Sequence, residues 1–249
     1  YHDGTQEVVG TTFIDDCQWD RSAEYSVTPN RFTWDLVNGV IKPMTSENAT
    51  NGQINFKLPV KSAHYHAKFK VIDTSYHSCT VFWCDQSSEV DTNPIDHHHS
   101  SKNLYYLSYY GPSNRFVLCR KPAGQGAIQI SSCKQTLNVG DIVVYDILHD
   151  ASTGGIKVYI NGELRITGSD NTLTSGYFGI ARIYTQPIAF ELQEFRVIAA
   201  SPDATNGIAA CIPPVGGGAR YGVEESVYNT FTTENVNKGV YLTTAKVKT

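Results

Sequence analysis

Polar side chains alternate along three successive segments of the chain that predict β-strands. Residues two apart in an extended strand point to the same face of a sheet. The alternating residues are His64, His66 and Lys68 in the first segment, Trp83 and Asp85 in the second, and Tyr106, Ser108 and Tyr110 in the third. Imidazoles, amines, carboxylates and phenols are costly to bury, so we expect these faces to be exposed. If the three segments lie near one another in a sheet, they form a polar, aromatic-rimmed groove that suits a carbohydrate chain.

The tyrosines of the third segment divide between its two faces. Alternation sends Tyr106 and Tyr110 to one face and Tyr105 and Tyr109 to the other. We expect one pair to pack in the core and the other to be available for stacking on sugar rings. Arg115, in the following segment, is a further candidate for contact with a ligand.

Composition favours one globular domain and argues against a nucleic-acid partner. The chain has 249 residues, of which 18% are charged, and its formal net charge is -4. A chain of this length can bury a full core, and large β-sandwiches reach this size as one domain. We predict one domain over residues 1–200, with a C-terminal extension over residues 201–249 that packs on it or pairs with it. A groove on this mildly acidic chain could still be locally basic and bind an acidic polymer.

Six cysteines without a CxxC pair indicate an oxidising compartment rather than a metal cluster. We predict the disulfides Cys17–Cys211, Cys79–Cys84 and Cys119–Cys133, although other pairings are open. Asn48 begins a glycosylation sequon, which agrees with an extracellular protein. The chain starts at Tyr1 without a leader and has no apolar run long enough to cross a membrane. We therefore expect a mature, secreted, monomeric protein with no membrane partner.

Nearly every segment between turn signals has the alternating apolar and polar pattern of a β-strand. The pair Asn161-Gly162 gives the strongest local signal, since a type I′ hairpin turn needs positive φ at both central residues. The polar stretch 87–102, which contains Pro94 and three adjacent histidines at 97–99, predicts a long loop. No convincing amphipathic helix interrupts the pattern. The sequence therefore predicts an all-β protein, built as a two-sheet antiparallel β-sandwich.

Four motifs between Asp141 and Ala199 resemble the closing strands of concanavalin A-like sandwiches. They are Asp141-Ile-Val-Val-Tyr-Asp-Ile, Gly155-Ile-Lys-Val-Tyr-Ile-Asn-Gly-Glu-Leu, Gly176-Tyr-Phe-Gly-Ile and Phe190-Glu-Leu-Gln-Glu-Phe. This superfamily of jelly rolls includes laminin G-like modules, legume-type lectins, glucanases and polysaccharide lyases. The resemblance implies a jelly roll that binds carbohydrate on its concave sheet, and the fold hosts both lectins and enzymes.

A second likeness is to the alginate and glucuronan lyases on this fold. Their late strand reads roughly Tyr-Phe-Lys-x-Gly-x-Tyr-x-Gln, and the segment from Tyr177 to Gln186 is similar, with one extra residue and no lysine. The likeness implies that Tyr184 is the catalytic tyrosine and that Gln186 is a subsite residue. The Gln-Ile-His and Arg-Ser/Thr-Glu-Leu signatures of the commonest alginate lyases are absent, so the chain would be a divergent lyase.

Cleavage of a uronic-acid polymer by β-elimination would use the residue types on the predicted face. The reaction removes the proton α to a carboxylate, while donors neutralise that carboxylate and an acid protonates the leaving oxygen. We predict that His66 and Tyr184 transfer the protons, with His64 and Lys68 in the catalytic set. The predicted substrate-binding residues are Arg182, Gln186, Asp85, Tyr106, Tyr110 and Arg115. Alternatively, the histidines and the lysine decorate an ordinary solvated sheet face.

The competing function is that of a non-catalytic lectin or laminin G-like module with the same polysaccharide groove. A glycosidase would need two carboxylates across the scissile bond, and the Glu-x-Asp-x-Glu arrangement of glucanases on this fold is missing. The segment Glu89–Asp96 has closely spaced oxygen donors that could hold a structural calcium ion, or it is a solvated acidic loop. Neither function requires a cofactor, and the sequence has no nucleotide-binding motif.

Overall fold

The computed structural model describes residues 7–18, 22, 25–44, 51–90, 101–183, 189–200 and 242–246. Within these ranges the regular structure is β-strand, apart from short 3₁₀ turns. The strands are β1 (Glu7–Asp15), β2 (Tyr25–Val27), β3 (Phe32–Asp35), β4 (Val40–Pro43), β5 (Gly52–Val60), β6 (Ala63–Val71), β7 (His77–Asp85), β8 (Leu104–Tyr110), β9 (Arg115–Lys121), β10 (Ile128–Lys134), β11 (Ile142–Asp150), β12 (Gly155–Ile160), β13 (Glu163–Ser169), β14 (Gly176–Arg182), β15 (Phe190–Ala200) and β16 (Leu242–Lys246).

The strands form two sheets that pack face to face. Sheet A has nine strands in the order β13-β12-β11-β6-β15-β1-β16, with β4 pairing with β15 and β3 with β4. Sheet B has seven strands in the order β10-β9-β8-β7-β14-β5-β2. Neighbouring strands pair antiparallel in both sheets. The prediction of an all-β, two-sheet antiparallel β-sandwich is confirmed.

The predicted C-terminal extension contributes one described strand. β16 pairs antiparallel with β1 and so continues sheet A beyond β1. Residues 201–241 of the extension lie outside the described residues. No helix within the described ranges is long and apolar enough to cross a membrane.

The core lies between the two sheets and is rich in aromatic side chains. Phe56 of sheet B stacks on Phe195 of sheet A with ring centroids 4.8 Å apart, and on Phe178 of its own sheet at 5.1 Å. All three rings are buried. Each removes a large apolar area from water, so this stack holds the two sheets together.

The hairpin between β12 and β13 forms as its turn residues predict. Asn161 and Gly162 have φ values of 50° and 86°, and Ile160 pairs directly with Glu163. Asparagine and glycine tolerate positive φ better than other residues do. This turn therefore sets the pairing of the residues next to it, up to the register shift between Val158 and Tyr159.

Two β-bulges interrupt β7. They lie at Cys79 and Cys84, where φ is 51° and 54°, and the pairing with β8 and β14 shifts register at these points. A bulge places two residues opposite one and so changes which face the next side chain reaches. Trp83 therefore packs in the core, whereas Asp85 points to the other side of the sheet. The prediction that Trp83 and Asp85 share a face is wrong.

The five described cysteines are unpaired thiols. Cys79 and Cys84 lie five residues apart on one strand, which separates their Cα atoms by roughly 16 Å. A disulfide needs Cα atoms within about 7 Å. Cys119 packs on the outer side of sheet B and Cys133 against the core, so these two side chains lie on opposite faces. The predicted disulfides Cys79–Cys84 and Cys119–Cys133 are therefore wrong.

Two further sequence predictions involve residues outside the described ranges. Of the predicted Cys17–Cys211 pair, Cys17 is a buried, free thiol. Cys211 itself lies outside the described residues, as does the glycosylation sequon at Asn48.

Candidate functional site

The polar segments that were predicted to share one groove lie in different sheets. β6 carries His64, His66 and Lys68 and belongs to sheet A, whereas β7 and β8 belong to sheet B. The three side chains of β6 alternate with core residues and so point to the outer face of sheet A. The polar residues of β8 point to the outer face of sheet B. Because the core separates these faces, the prediction of a single groove is wrong.

The tyrosines of β8 divide between the core and the outer face, as predicted. Tyr105 and Tyr109 are fully buried between the sheets, and Tyr106 and Tyr110 lie on the outer side. Tyr106 is only 4% exposed, and it lies directly opposite Cys119 of β9 in the strand register. Tyr110 is therefore the tyrosine of this pair that a ligand can reach, whereas Tyr106 is too buried for the predicted contact with a ligand.

Three partly exposed rings and an arginine meet at one end of the outer face of sheet B. Tyr76 packs edge-on against both His77 and Tyr110, with ring centroids 5.0 Å and 5.4 Å apart. The rings of His77 and Tyr110 lie 4.8 Å apart. The guanidinium carbon of Arg115 lies 6.0 Å from the centre of the Tyr110 ring. We call these four residues the aromatic cluster.

Strand register brings the aromatic cluster together. His77 begins β7 and pairs with Tyr110 at the end of β8, which pairs in turn with Arg115 at the start of β9. Cross-strand neighbours on one face lie within side-chain contact, so one row across three strands holds a ring, a ring and a cation. Tyr110 and Arg115 were predicted from the sequence as ligand-binding residues, whereas Tyr76 and His77 were not. Their signal was two adjacent aromatic residues shortly before Thr80–Gln86, the segment predicted as a strand.

Hydroxyl groups fix the histidine of the aromatic cluster. His77 Nδ1 lies 3.0 Å from Ser108 Oγ, which lies 2.8 Å from Thr80 Oγ1. Both hydroxyl residues are buried beneath the cluster. A ring held in this way loses little conformational entropy when a ligand stacks on it.

Arg115 supplies a positive charge to the aromatic cluster. Within the described residues no carboxylate pairs with Arg115, and its Nε is buried without a hydrogen-bond partner. Arg120, five residues further along β9, differs from Arg115 because it has a carboxylate partner. It points inward and pairs with Asp170 at 3.2 Å. The planar guanidinium of Arg115 has the geometry that binds a carboxylate or sulfate with two hydrogen bonds.

The structure places two further predicted ligand-binding residues in buried positions. Asp85 is fully buried and pairs with Lys102 at 2.8 Å. Arg182 is 2% exposed and donates a hydrogen bond to the backbone oxygen of Met44 at 3.0 Å. Burial lowers the pKa of Arg182. Both side chains are thus used inside the protein, while Tyr184 and Gln186 lie outside the described residues.

The outer face of sheet A has a separate polar network centred on Asp146. Its Oδ1 lies 2.7 Å from His64 Nε2 and 2.9 Å from His66 Nδ1. The other ring nitrogen of His66 lies 3.3 Å from a terminal nitrogen of Arg196, whose Nε is 2.6 Å from Glu194. The register explains the contact, because Asp146, His66 and Arg196 pair across β11, β6 and β15.

The electrostatics of this network determine which ring nitrogens of the histidines carry protons. Burial raises the pKa of Asp146, but hydrogen bonds from the two histidines outweigh it and hold that pKa well below its ordinary value. Burial also lowers the pKa of His64, against the effect of Asp146. An ionised carboxylate only accepts hydrogen bonds, so His64 donates through Nε2 and His66 through Nδ1. Arg196 only donates, which leaves Nε2 of His66 as an acceptor.

The two histidines of this network were predicted from the sequence as site residues, whereas their partners Asp146 and Arg196 were not. Asp146 and Arg196 lie on strands that the sequence predicted, at positions that alternate with core residues. The sequence predicts the face of the strand to which each side chain points, but it does not predict the strand order that brings them beside β6. Lys68 lies on the same face and is half-buried. No group of three or more histidine, cysteine, aspartate or glutamate side chains in the described part of the chain is placed to hold a metal ion.

Comparison with known proteins supports the fold alone. No protein-family model matches the chain, and no curated protein matches it. A protein of unknown function with a galectin-like fold from Bacillus subtilis is 13% identical, with a TM-score of 0.61, and the match covers 78% of this chain and 99% of that one. Basic winged bean lectin with Tn-antigen is 13% identical, with a TM-score of 0.59 and coverages of 77% and 99%.

A carbohydrate-binding module from Bacillus subtilis, CBM66, is similar over 71% of this chain and 92% of its own, with 12% identity and a TM-score of 0.51. Identities this low establish architecture and leave function open. The chain therefore shares the lectin-like jelly-roll β-sandwich, which confirms the predicted concanavalin A-like resemblance at the level of the fold.

Proposed function

We propose that this protein is a carbohydrate-binding protein whose ligand is an acidic polysaccharide, held at the aromatic cluster. The observation that carries the proposal is the pairing of accessible rings with a cation that no carboxylate neutralises in the described residues. The rings of Tyr76, His77 and Tyr110 are partly exposed and held by one another. The lectin and carbohydrate-binding module among the similar structures support the same class of function.

The chemistry of the aromatic cluster suits an acidic sugar better than a neutral one. An aromatic ring offers a flat apolar surface to the C–H face of a pyranose. A hydrogen bond to a charged group contributes about 1.5–3 kcal/mol, compared with about 1 kcal/mol for a neutral one. Arg115 lies beside the Tyr110 ring, so a uronic acid stacked on that ring would bring its carboxylate to the guanidinium. A polysaccharide ligand also fits the predicted secretion of the chain.

Titration calorimetry with an alginate oligosaccharide tests the proposal, with a neutral glucan oligosaccharide of the same length as the control. We expect binding of the acidic sugar that weakens as salt is added, because salt screens the Arg115 charge, and much weaker binding of the neutral sugar. Equal affinity for the two sugars would contradict an acidic ligand. No heat of binding with either sugar would contradict the carbohydrate site.

A second candidate function, β-elimination of an acidic polysaccharide, is favoured by one observation on sheet A. Asp146 fixes the tautomer of His66, so that Nε2 carries the lone pair that a general base needs. Arg196 donates to this lone pair at 3.3 Å, so a substrate carboxylate would have to draw the guanidinium away before Nε2 could act as the base. A lyase would shorten the alginate chain and create unsaturated uronyl ends that absorb ultraviolet light. Binding of alginate without formation of unsaturated ends supports the lectin. Unsaturated ends that form with the native protein but not with His66→Ala would support the lyase.

A further inference from the structure

The row of side chains that runs through the aromatic cluster continues onto the edge strand of sheet B. His77, Tyr110 and Arg115 lie opposite one another across β7, β8 and β9. Lys134, the last residue of β10, lies directly opposite Arg115. Residues that are directly opposite on antiparallel strands point to the same face of the sheet. Because Cys133, the residue before it, packs against the core, Lys134 extends to the outer face on the same side as Arg115.

A backbone hydrogen bond holds the end of β10 against the turn between β8 and β9. The backbone nitrogen of Gln135, which follows Lys134, donates to the backbone oxygen of Asn114, which precedes Arg115, at 2.9 Å. The Cα atoms of directly opposite residues in an antiparallel pair lie roughly 4.5–5.5 Å apart. The side chains of Arg115 and Lys134 therefore leave the sheet as immediate neighbours, with their backbone positions fixed.

Arg115 and Lys134 place two positive charges side by side. The ion pairs between described residues involve neither of these two side chains. Like charges directly opposite each other on neighbouring strands destabilise a sheet. An anion that contacts both side chains relieves this repulsion, so the pair favours a negatively charged ligand. Lys134 is exposed, so its ammonium lies where such a ligand can reach it.

We propose that Lys134 forms a second anion subsite beside Arg115, so that the site selects a polysaccharide with at least two acidic groups close together. This inference rests on the proposed function. A sugar stacked on Tyr110 brings one carboxylate to the planar guanidinium of Arg115, which binds it in a fixed geometry. The ammonium of Lys134, on its flexible stem, then meets a second acidic group of the same chain. The ligand class is therefore a densely charged acidic polysaccharide, rather than a neutral polymer with isolated acidic side groups.

Titration calorimetry of Lys134→Ala with two oligosaccharides tests this inference. An alginate oligosaccharide carries a carboxylate on every sugar, whereas a xylo-oligosaccharide with a single glucuronic acid side group carries one carboxylate. We expect the variant to bind the alginate oligosaccharide about threefold more weakly than the native protein, as loss of one exposed ion pair implies. The salt dependence of alginate binding should fall as well. Binding of the xylo-oligosaccharide should not change, because its carboxylate pairs with Arg115.

Two further variants separate a contact with the ligand from a change in net charge. Lys134→Arg keeps a cation at the end of β10 and should retain most of the affinity for alginate. Lys157→Ala removes an exposed lysine from β12, where the neighbouring residues Ile156 and Val158 pack in the core. Its side chain therefore lies on the outer face of sheet A, and this variant should bind alginate as the native protein does.

The outcomes distinguish failure of the subsite from failure of the proposed function. Native affinity for alginate in Lys134→Ala, an equal loss for both oligosaccharides, or an equal loss in Lys157→Ala would each overturn the second subsite. The proposed function would stand in all three cases, because the native protein still binds the acidic sugar. Absence of alginate binding by the native protein would overturn the proposed function and the subsite together.

Discussion

Replacing Arg115 with alanine is expected to weaken binding of an alginate oligosaccharide by tenfold or more, which corresponds to about 1.4 kcal/mol. The variant removes the charge that pairs with the sugar carboxylate, and a charged hydrogen bond contributes about 1.5–3 kcal/mol. It also removes the cation that lies 6.0 Å from the Tyr110 ring. The salt dependence of binding should fall with the affinity. Titration calorimetry at two salt concentrations measures both quantities.

Two controls separate the role of Arg115 from a general effect of charge. Arg115→Lys keeps the charge but loses the planar guanidinium, so its affinity should fall between those of the native protein and the alanine variant. Arg165→Ala removes a cation from β13, at the edge of sheet A, where it pairs with Glu163. Its affinity should match that of the native protein. Equal losses in Arg115→Ala and Arg165→Ala would mean that only net charge matters.

Stability is expected to fall as the pH drops from about 7 to about 4, in part because of His149. This histidine is fully buried, and its Nδ1 lies 3.6 Å from the thiol of Cys84. Burial lowers its pKa from 6.5 to about 4, against the effects of Asp150 and Asp170. Between these two pH values the unfolded chain binds the proton and the folded protein does not. Acid therefore favours unfolding, by about 3 kcal/mol at the lower end of this range.

The variant His149→Asn isolates this contribution, because the other titrating groups are the same in both proteins. The free energy of unfolding, measured by denaturant titration across this pH range, should fall more steeply in the native protein than in the variant. His64, whose pKa burial also lowers, should leave a residual slope in both. Parallel pH profiles would show that His149 is protonated in the folded protein or is not buried.

Local sequence patterns predicted the parts of the fold that depend on neighbouring residues. The Asn161-Gly162 turn was readable because only a few residue types tolerate positive φ at both positions. Alternation within one strand is regular, so the sequence predicted that Tyr105 and Tyr109 lie on one face of β8 and that Tyr106 and Tyr110 lie on the other. The sandwich followed from many such strands without an intervening helix.

The candidate site required information that alternation does not contain. β6 is followed in the chain by β7 and β8, but β6 belongs to sheet A and the other two strands to sheet B. The same alternating pattern therefore places His66 and Tyr110 on opposite sides of the molecule. The bulge at Cys84 reversed the expected direction of Asp85. Strand order, set by packing over the whole domain, brought Asp146 and Arg196 to His66 and could not be read from any one segment.

An NMR titration of the protein with an alginate oligosaccharide tests the central claim most directly. The claim is that the aromatic cluster on the outer face of sheet B is the binding surface for an acidic carbohydrate. We predict that the largest backbone amide shifts occur at Tyr76, His77, Tyr110 and Arg115. The largest shifts at His64, His66 and Arg196 of sheet A instead, or no shifts at any sugar concentration, would contradict it.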